Sequence, residues 1–167
     1  MGIGTAAMSA TAHAGDGEPP PQAQPTLRAS SDLDGGYLYL GPVGAAISID
    51  GAWDGTFGAS LSWLRVREHR PVAAAGVSLG AARYSARDGG RVWLEGIAGT
   101  RRVLGVLAGI TAGPLLELGD VQHARPGVTG GIWLFAGVTP FVRAGFVAQA
   151  GGFVEAGLQV PLPVWRF

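Results

Sequence analysis

From Tyr37 onward the chain alternates between two kinds of residue. In the segment TFGASLSW, Phe57, Ala59, Leu61 and Trp63 occupy every second position, between Thr56, Gly58, Ser60 and Ser62. In AAAGVSLGA, Ala75, Val77, Leu79 and Ala81 are separated by Gly76, Ser78 and Gly80. Near the end, Val154, Ala156, Leu158 and Val160 are separated by Glu155, Gly157 and Gln159. A period of two places successive side chains on opposite sides of an extended strand, so each segment has one apolar face and one small or polar face. Uncharged stretches run over 35–49, 55–64, 71–82, 103–116, 126–142, 144–154 and 156–165. None supplies the roughly 20 apolar residues of a spanning helix. The longest, 126–142, is broken by Thr139-Pro140, which reads as a turn.

Eight strands follow, over about 37–49, 55–67, 71–85, 90–101, 103–118, 127–137, 140–149 and 153–166. Charges and turn residues such as Asp50-Gly51, Glu68-His69-Arg70-Pro71, Asp88-Gly89-Gly90 and Gly119-Asp120 bound them. Links this short make sequential antiparallel hairpins the natural topology. A first loop at 50–54 pairs Ile47 with Phe57, Ala45 with Ala59 and Val43 with Leu61. A last loop at 150–152 pairs Val147 with Glu155 and Arg143 with Gln159, and sets Val142, Ala144, Phe146 and Ala148 against Val160, Leu158, Ala156 and Val154. Both registers match apolar with apolar on one face.

Composition narrows the setting. Only 14% of the 167 residues are charged while 47% are hydrophobic, against about 25% charged in an ordinary soluble domain. That excludes a charge-rich disordered chain. The 29 glycines follow no Gly-X-Y period, which excludes collagen. Twelve arginines balance twelve acids and there is no lysine, so nothing points to nucleic acid. Without cysteine there is no disulfide, thiol catalysis or thiolate-bound metal.

The N-terminal 36 residues differ from the rest. Residues 1–14 are small and weakly apolar, and Ala12-His13-Ala14 has the small-x-small form of a signal-peptidase site. A basic n-region is missing, which leaves a truncated signal peptide and a plain disordered leader as the two readings. Residues 15–36, rich in Pro, Gly, Gln and Ser, read as a disordered linker. The strand-bearing domain is 37–167.

Alternation alone does not say which face is wet; the charges do. They gather in turns and at strand ends: Asp50, Asp54, Arg65, Arg67, Glu68, Arg70, Arg87, Asp88, Arg101, Arg102, Asp120 and Arg125. Those within strands, Glu95, Glu117, Arg143 and Glu155, together with Gln159, are expected on the polar face. A closed antiparallel up-and-down barrel of about eight strands, with a polar lumen and an apolar belt against lipid, fits this distribution, and closure removes the sheet edges that lipid does not tolerate. Aromatic residues near strand ends are read as membrane-interface belts: Tyr37, Tyr39, Trp63, Phe141, Trp165 and Phe167 at one end, Trp53, Tyr84, Trp93 and Phe153 at the other. Trp133 fits neither belt.

The last ten residues, LQVPLPVWRF, close on Trp165-Arg166-Phe167. This resembles the C-terminal strand signature of bacterial outer-membrane β-barrels, and GVTPFVRAGF is similar to late hairpins of small eight-stranded barrels of the outer-membrane-protein A and X kind. The resemblance implies an outer-membrane location, the lipid bilayer as solvent, and Trp165 and Phe167 as the signal read by the barrel-assembly machinery. The sequence departs from the pattern in two ways. Pro161 and Pro163 interrupt the last strand, where each lacks a ladder donor. The loops are also much shorter than those the family uses for adhesion.

Other features carry less. Gly105, Gly109 and Gly113 form a GxxxGxxxG series that suits a helix-packing face, but a spacing of four also keeps glycines on one face of a strand, where they leave room inside a narrow barrel. His13, His69 and His123 are too few for a metal or triad site; an Asp120/His123 pair lacks further ligands. Outer-membrane proteases and lipid A deacylases need a histidine with carboxylate or serine partners, and the surroundings of His123 match neither. The sequence therefore predicts no catalytic, cofactor or metal site. The reading is a structural or partner-binding barrel. A soluble barrel that binds an apolar ligand and a narrow outer-membrane channel are the alternatives, although eight strands enclose only enough space for side chains to fill.

Overall fold

The computed structural model describes residues 34–67, 69–103, 106–119 and 124–167. The leader (1–14), most of the linker and the Asp120/His123 pair lie outside the described residues. The strands are β1 (Gly35–Ile49), β2 (Ala52–Val66), β3 (Ala74–Tyr84), β4 (Gly90–Val103), β5 (Val106–Leu118), β6 (Ala124–Phe135), β7 (Thr139–Val147), β8 (Gly151–Gln159) and β9 (Leu162–Arg166). Each pairs antiparallel with its sequence neighbour from β1 to β8, and the free edge of β1 takes β8 and β9. The sheet thus closes into an all-β, up-and-down barrel of eight staves. The Gly105 series falls on a strand: Gly109 and Gly113 lie in β5 and face the lumen, and Gly105 is outside the described residues.

The eighth stave is broken. β8 ends at Gln159 and β9 begins at Leu162, because neither Pro161 nor Pro163 has an N–H to donate. Val160 N still donates to Pro42 O at 3.1 Å, and the register against β1 slips between Leu38 and Tyr39. At the other edge of the domain, Gly35 and Gly36 belong to β1 and not to the linker. Gly36 exchanges both backbone hydrogen bonds with Phe167, at 2.9 and 3.0 Å.

Both hairpin registers differ from the sequence expectation. Asp50 and Gly51 have φ values of 49° and 83°, the two positive φ values of a two-residue type I′ turn, whose twist matches that of the strands it joins. The first loop is therefore shorter than expected, and Ile47 pairs with Asp54, Ala45 with Thr56 and Val43 with Gly58. An odd change of register exchanges faces, so Ile47 points inward and Phe57 outward. In the last hairpin the turn is Ala148–Ala150, with Gln149 at φ 65°. Val147 pairs with Gly151, Val142 with Ala156 and Ala144 with Val154, and Arg143 comes directly opposite Glu155. That change is even and keeps the faces.

Many of the glycines find their use in the lumen. Trp93 pairs across the sheet with Gly80, Trp133 with Gly109, Phe153 with Gly145 and Phe141 with Gly157. In each pair the ring lies over the glycine, where a Cβ would collide with it. Trp133 is thus a lumen residue: its ring also covers Gly99, and its Nε1 donates to Ile110 O at 3.3 Å. One half of the lumen is packed by Ile47, Ile49, Ala82, Tyr84, Trp93, Leu115, Val147 and Phe153.

Gly80→Val is therefore expected to displace Trp93 and lower the unfolding free energy by about 1–3 kcal/mol, the usual cost of overpacking. Gly96→Ala faces outward, with Ala112 O at 3.7 Å, and should change it by less than about 0.5 kcal/mol. Urea unfolding of the reconstituted chain, followed by far-UV circular dichroism, separates the two.

Candidate functional site

The parity of each stave decides which polar side chains enter the lumen. On β4, Arg91, Trp93 and Glu95 share the inner face; on β5, Thr111, Leu115 and Glu117; on β7, Phe141, Arg143 and Val147; on β8, Phe153 and Glu155. Glu95, Glu117, Arg143 and Glu155 are buried there, and Gln159 is half-buried.

They form one alternating chain of charges. Asp54 meets Arg87 at 3.6 Å, Arg87 meets Glu117 at 3.7 Å, and Glu117 meets Arg91 at 3.6 Å. Arg91 continues to Glu155 at 3.3 Å, and Arg143 bridges Glu155 at 3.9 Å and Glu95 at 3.2 Å. Each arginine lies between two acids. Polar neighbours supply further contacts: Thr56 Oγ1 donates to Glu155 Oε1 at 3.3 Å, and Arg91 donates to Tyr84 Oη through Nε and Nη2 at 3.3 and 3.1 Å. The guanidinium groups also lie over rings. Arg143 Cζ is 4.3 Å from the Phe141 centroid and 5.0 Å from that of Trp93, Arg91 is 4.4 Å from Phe153, and Arg87 is 3.6 Å from Tyr84. Cation–π attraction strengthens when both groups leave water. Ser62 and Ser78 share a 2.9 Å hydrogen bond across the inner face of β2 and β3. Beyond Glu95, toward the end that carries Gly35 and Arg166, a cavity of about 110 Å³ remains.

Arg91 at the centre of this chain, and Asp54 and Arg87 at its outer end, are absent from the lumen residues expected from sequence. Asp54 and Arg87 are rim charges that cap the outer end of the chain, and Arg91, next to the turn at Asp88–Gly90, has the look of another. For Arg91 the signal was present in its parity with Trp93 and Glu95.

The aromatic residues need correction. Tyr37 and Trp93 are buried in the lumen, and Tyr39 also faces inward, where it lines the cavity. The reason is again parity: positions 37 and 39 share a face with Val43 and Ile47, and position 93 with Glu95. Tyr84, Phe141 and Phe153 are buried with them. Of the aromatics read as belts, Trp53, Trp63, Trp165 and Phe167 face outward, at 69%, 50%, 67% and 62% exposure. Phe167 stacks on Trp63 with centroids 6.4 Å apart and lies over Gly36.

No protein-family model and no curated protein matches the sequence. Among solved structures, the chain is similar to the solution NMR structure of a de novo designed protein, TMB2.3, with a TM-score of 0.51 at 16% identity over 78% of this chain and 98% of that one. It is also similar to the crystal structure of Ail, the attachment invasion locus protein of Yersinia pestis, with a TM-score of 0.44 at 14% identity over 81% and 100% of the two chains. The likeness to the designed protein is one of fold: a small closed β-barrel.

Removing one partner of a buried ion pair strands the other and costs about 3–5 kcal/mol. Arg91→Met, which leaves Glu117 and Glu155 short of a cation, should lose stability on that scale. Arg91→Met/Glu155→Gln leaves the Asp54–Arg87–Glu117 and Arg143–Glu95 groups intact and should recover part of the loss. Equal or greater destabilisation of the double variant in urea unfolding would show that the charges are not coupled.

Proposed function

We propose that this chain is a small bacterial outer-membrane β-barrel of structural or partner-binding type, without chemistry of its own. The observation that carries this reading is the outer face. Leu61, Leu79, Ile110, Val128, Ile132, Phe146 and Leu158 all point away from the lumen and are exposed, and among the described residues of β2 and β3 charge returns to the outside toward the rims, at Arg65 and at Arg83. Arg83 pairs with Phe57, so the uncharged belt on this part of the sheet runs from the level of residue 57 to residue 65. That is roughly 26 Å along the strand at about 3.3 Å per residue, and roughly 20 Å along the axis at the ~40° tilt of such barrels, close to their ~25 Å apolar band. A soluble protein rarely exposes apolar patches beyond a few hundred Å². A continuous belt of this kind calls for lipid.

The soluble ligand-binding alternative requires the Val/Leu face inward, and Val77, Leu79 and Leu158 face outward. Against the channel alternative stand the buried cluster and the chain of ion pairs inside the lumen.

The absence of native cysteine permits a direct test. A fluorophore on Leu79→Cys or Ile132→Cys should be quenched by brominated acyl chains after reconstitution, and one on Ser85→Cys at the rim should not. Planar bilayers containing the parent should show no large stable pore. Recovery of a soluble monomer without detergent, its Leu79 and Ile132 probes untouched by lipid, would falsify the membrane reading.

The exposed Trp165 and Phe167 support the further proposal that the last residues are read by the barrel-assembly machinery. Burying one ring is worth about 1.5–3 kcal/mol, too little to unfold a closed barrel. Deletion of Phe167 is expected to lower the folded outer-membrane yield in cells severalfold while refolding into detergent stays near that of the parent. An unchanged yield in cells, or equal failure in detergent, contradicts the signal.

A further inference from the structure

The two rims of the barrel differ in charge. Among the described residues, the rim that carries Gly35 and Arg166 has Arg65, Arg67, Arg70, Arg101 and Arg166 against Asp34, and the opposite rim sets Arg83, Arg87 and Arg125 against Asp50, Asp54 and Asp88. On the first rim, Arg65, Arg67 and Arg70 are exposed and have no acidic partner among the described residues. Glu68, outside the described residues, still leaves the run Arg65–Arg70 net positive.

These arginines line one groove. Arg65 follows Trp63 on the outward face of β2. Arg67 and Arg70 belong to a loop that is held at its base, with Arg67 N donating to Ala73 O at 2.8 Å and Arg70 N to Arg67 O at 3.3 Å. The space between them and the chain end is about 730 Å³, and its apolar wall is the stacked Trp63 and Phe167 pair. Below that wall the outward residues continue as Trp63 beside Val77 and Leu61 beside Leu79. The groove is thus net cationic at the top, where Asp34 is the one acid among its described lining residues, and apolar below.

We propose that this groove holds an anionic phospholipid, its phosphate among Arg65, Arg67 and Arg70 and its acyl chains against Trp63, Phe167 and the outward face of β2 and β3. The inference rests on the membrane reading above. Charge complementarity selects the headgroup: guanidinium donors match phosphate oxygens in a fork geometry, and a zwitterionic lipid brings a choline or ethanolamine cation into the same cluster. The continuous apolar column selects a lipid over a free anion, which would make no use of the apolar surface below the arginines.

The test is native mass spectrometry of the full-length protein from mixed micelles that contain equal phosphatidylglycerol and phosphatidylcholine. Each arginine near a membrane surface contributes roughly fivefold in preference for anionic lipid. The parent should retain phosphatidylglycerol selectively, and R65Q/R67Q/R70Q should lose that selectivity by at least tenfold. Arg83→Gln at the opposite rim should leave it unchanged. If the triple variant does not fold, shown by loss of its heat-modifiable migration, Arg70→Gln in the exposed loop supplies the measurement and should lose severalfold. Equal retention of the two lipids, or undiminished selectivity in the glutamine variants, overturns the proposal while leaving the membrane barrel in place. Complete displacement of the lipid by inorganic phosphate also overturns it, in favour of a free-anion site. Failure of the parent to enter bilayers overturns both.

Discussion

An eight-stave barrel encloses so little space that each inward side chain is chosen by the one opposite it. That constraint organises the whole molecule. Trp93, Trp133, Phe141 and Phe153 each lie across a glycine on a neighbouring strand, and Trp133 and Phe141, which pair with each other, each have that glycine on the other side. A glycine-rich chain would be a liability in most strands, because glycine weakens them through entropy and lost packing. Here the missing side chain is the space into which the neighbour folds. The same scarcity of room brings the inner charges within reach of one another, so that each carboxylate and guanidinium is met mainly by its opposite.

The alternating order of the charge chain follows from that need. An isolated ionised group in a dry lumen is very costly, while a paired and hydrogen-bonded one is tolerated. Arg91 and Arg143 each touch two carboxylates and a ring face, so no single contact carries the compensation. The arrangement also resists slippage. Moving β8 by two residues against β7 preserves every face but separates Arg143 from Glu155, and moving it by one sends Glu155 into the apolar belt.

Much of this was legible in the sequence. Alternation, eight segments, uncharged strand centres and the lumen side of Glu95, Glu117, Arg143 and Glu155 follow from period two and charge placement alone. Register is less direct. In the first hairpin the cue is present, since Asp50-Gly51 favours a two-residue type I′ turn; a loop drawn at 50–54 is three residues too long, and that odd difference decides which of Ile47 and Phe57 meets the core. The aromatic belts differ from expectation for a related reason. Position along a strand places a ring near an interface, but parity decides whether it faces out, and Tyr37, Tyr39 and Trp93 have the inward parity of Val43 and Glu95. Arg91 was missed because a neighbouring turn masked its parity.

The break at Pro161 and Pro163 bears on how the cylinder shuts. Every other stave joins its sequence neighbour through a local hairpin, but the closing contact brings together residues as distant as Ile47 and Glu155, and long-range pairing carries the loop-closure entropy that slows assembly. The two prolines divide that step. β8 meets β1 over seven continuous partners from Val43 to Ile49, whereas β9 meets it over four with a slip in register. The final stave therefore fastens in two lengths, like a zip with a gap in its teeth: the half beside the buried charges can latch and hold the cylinder before the half that ends in Phe167 is seated.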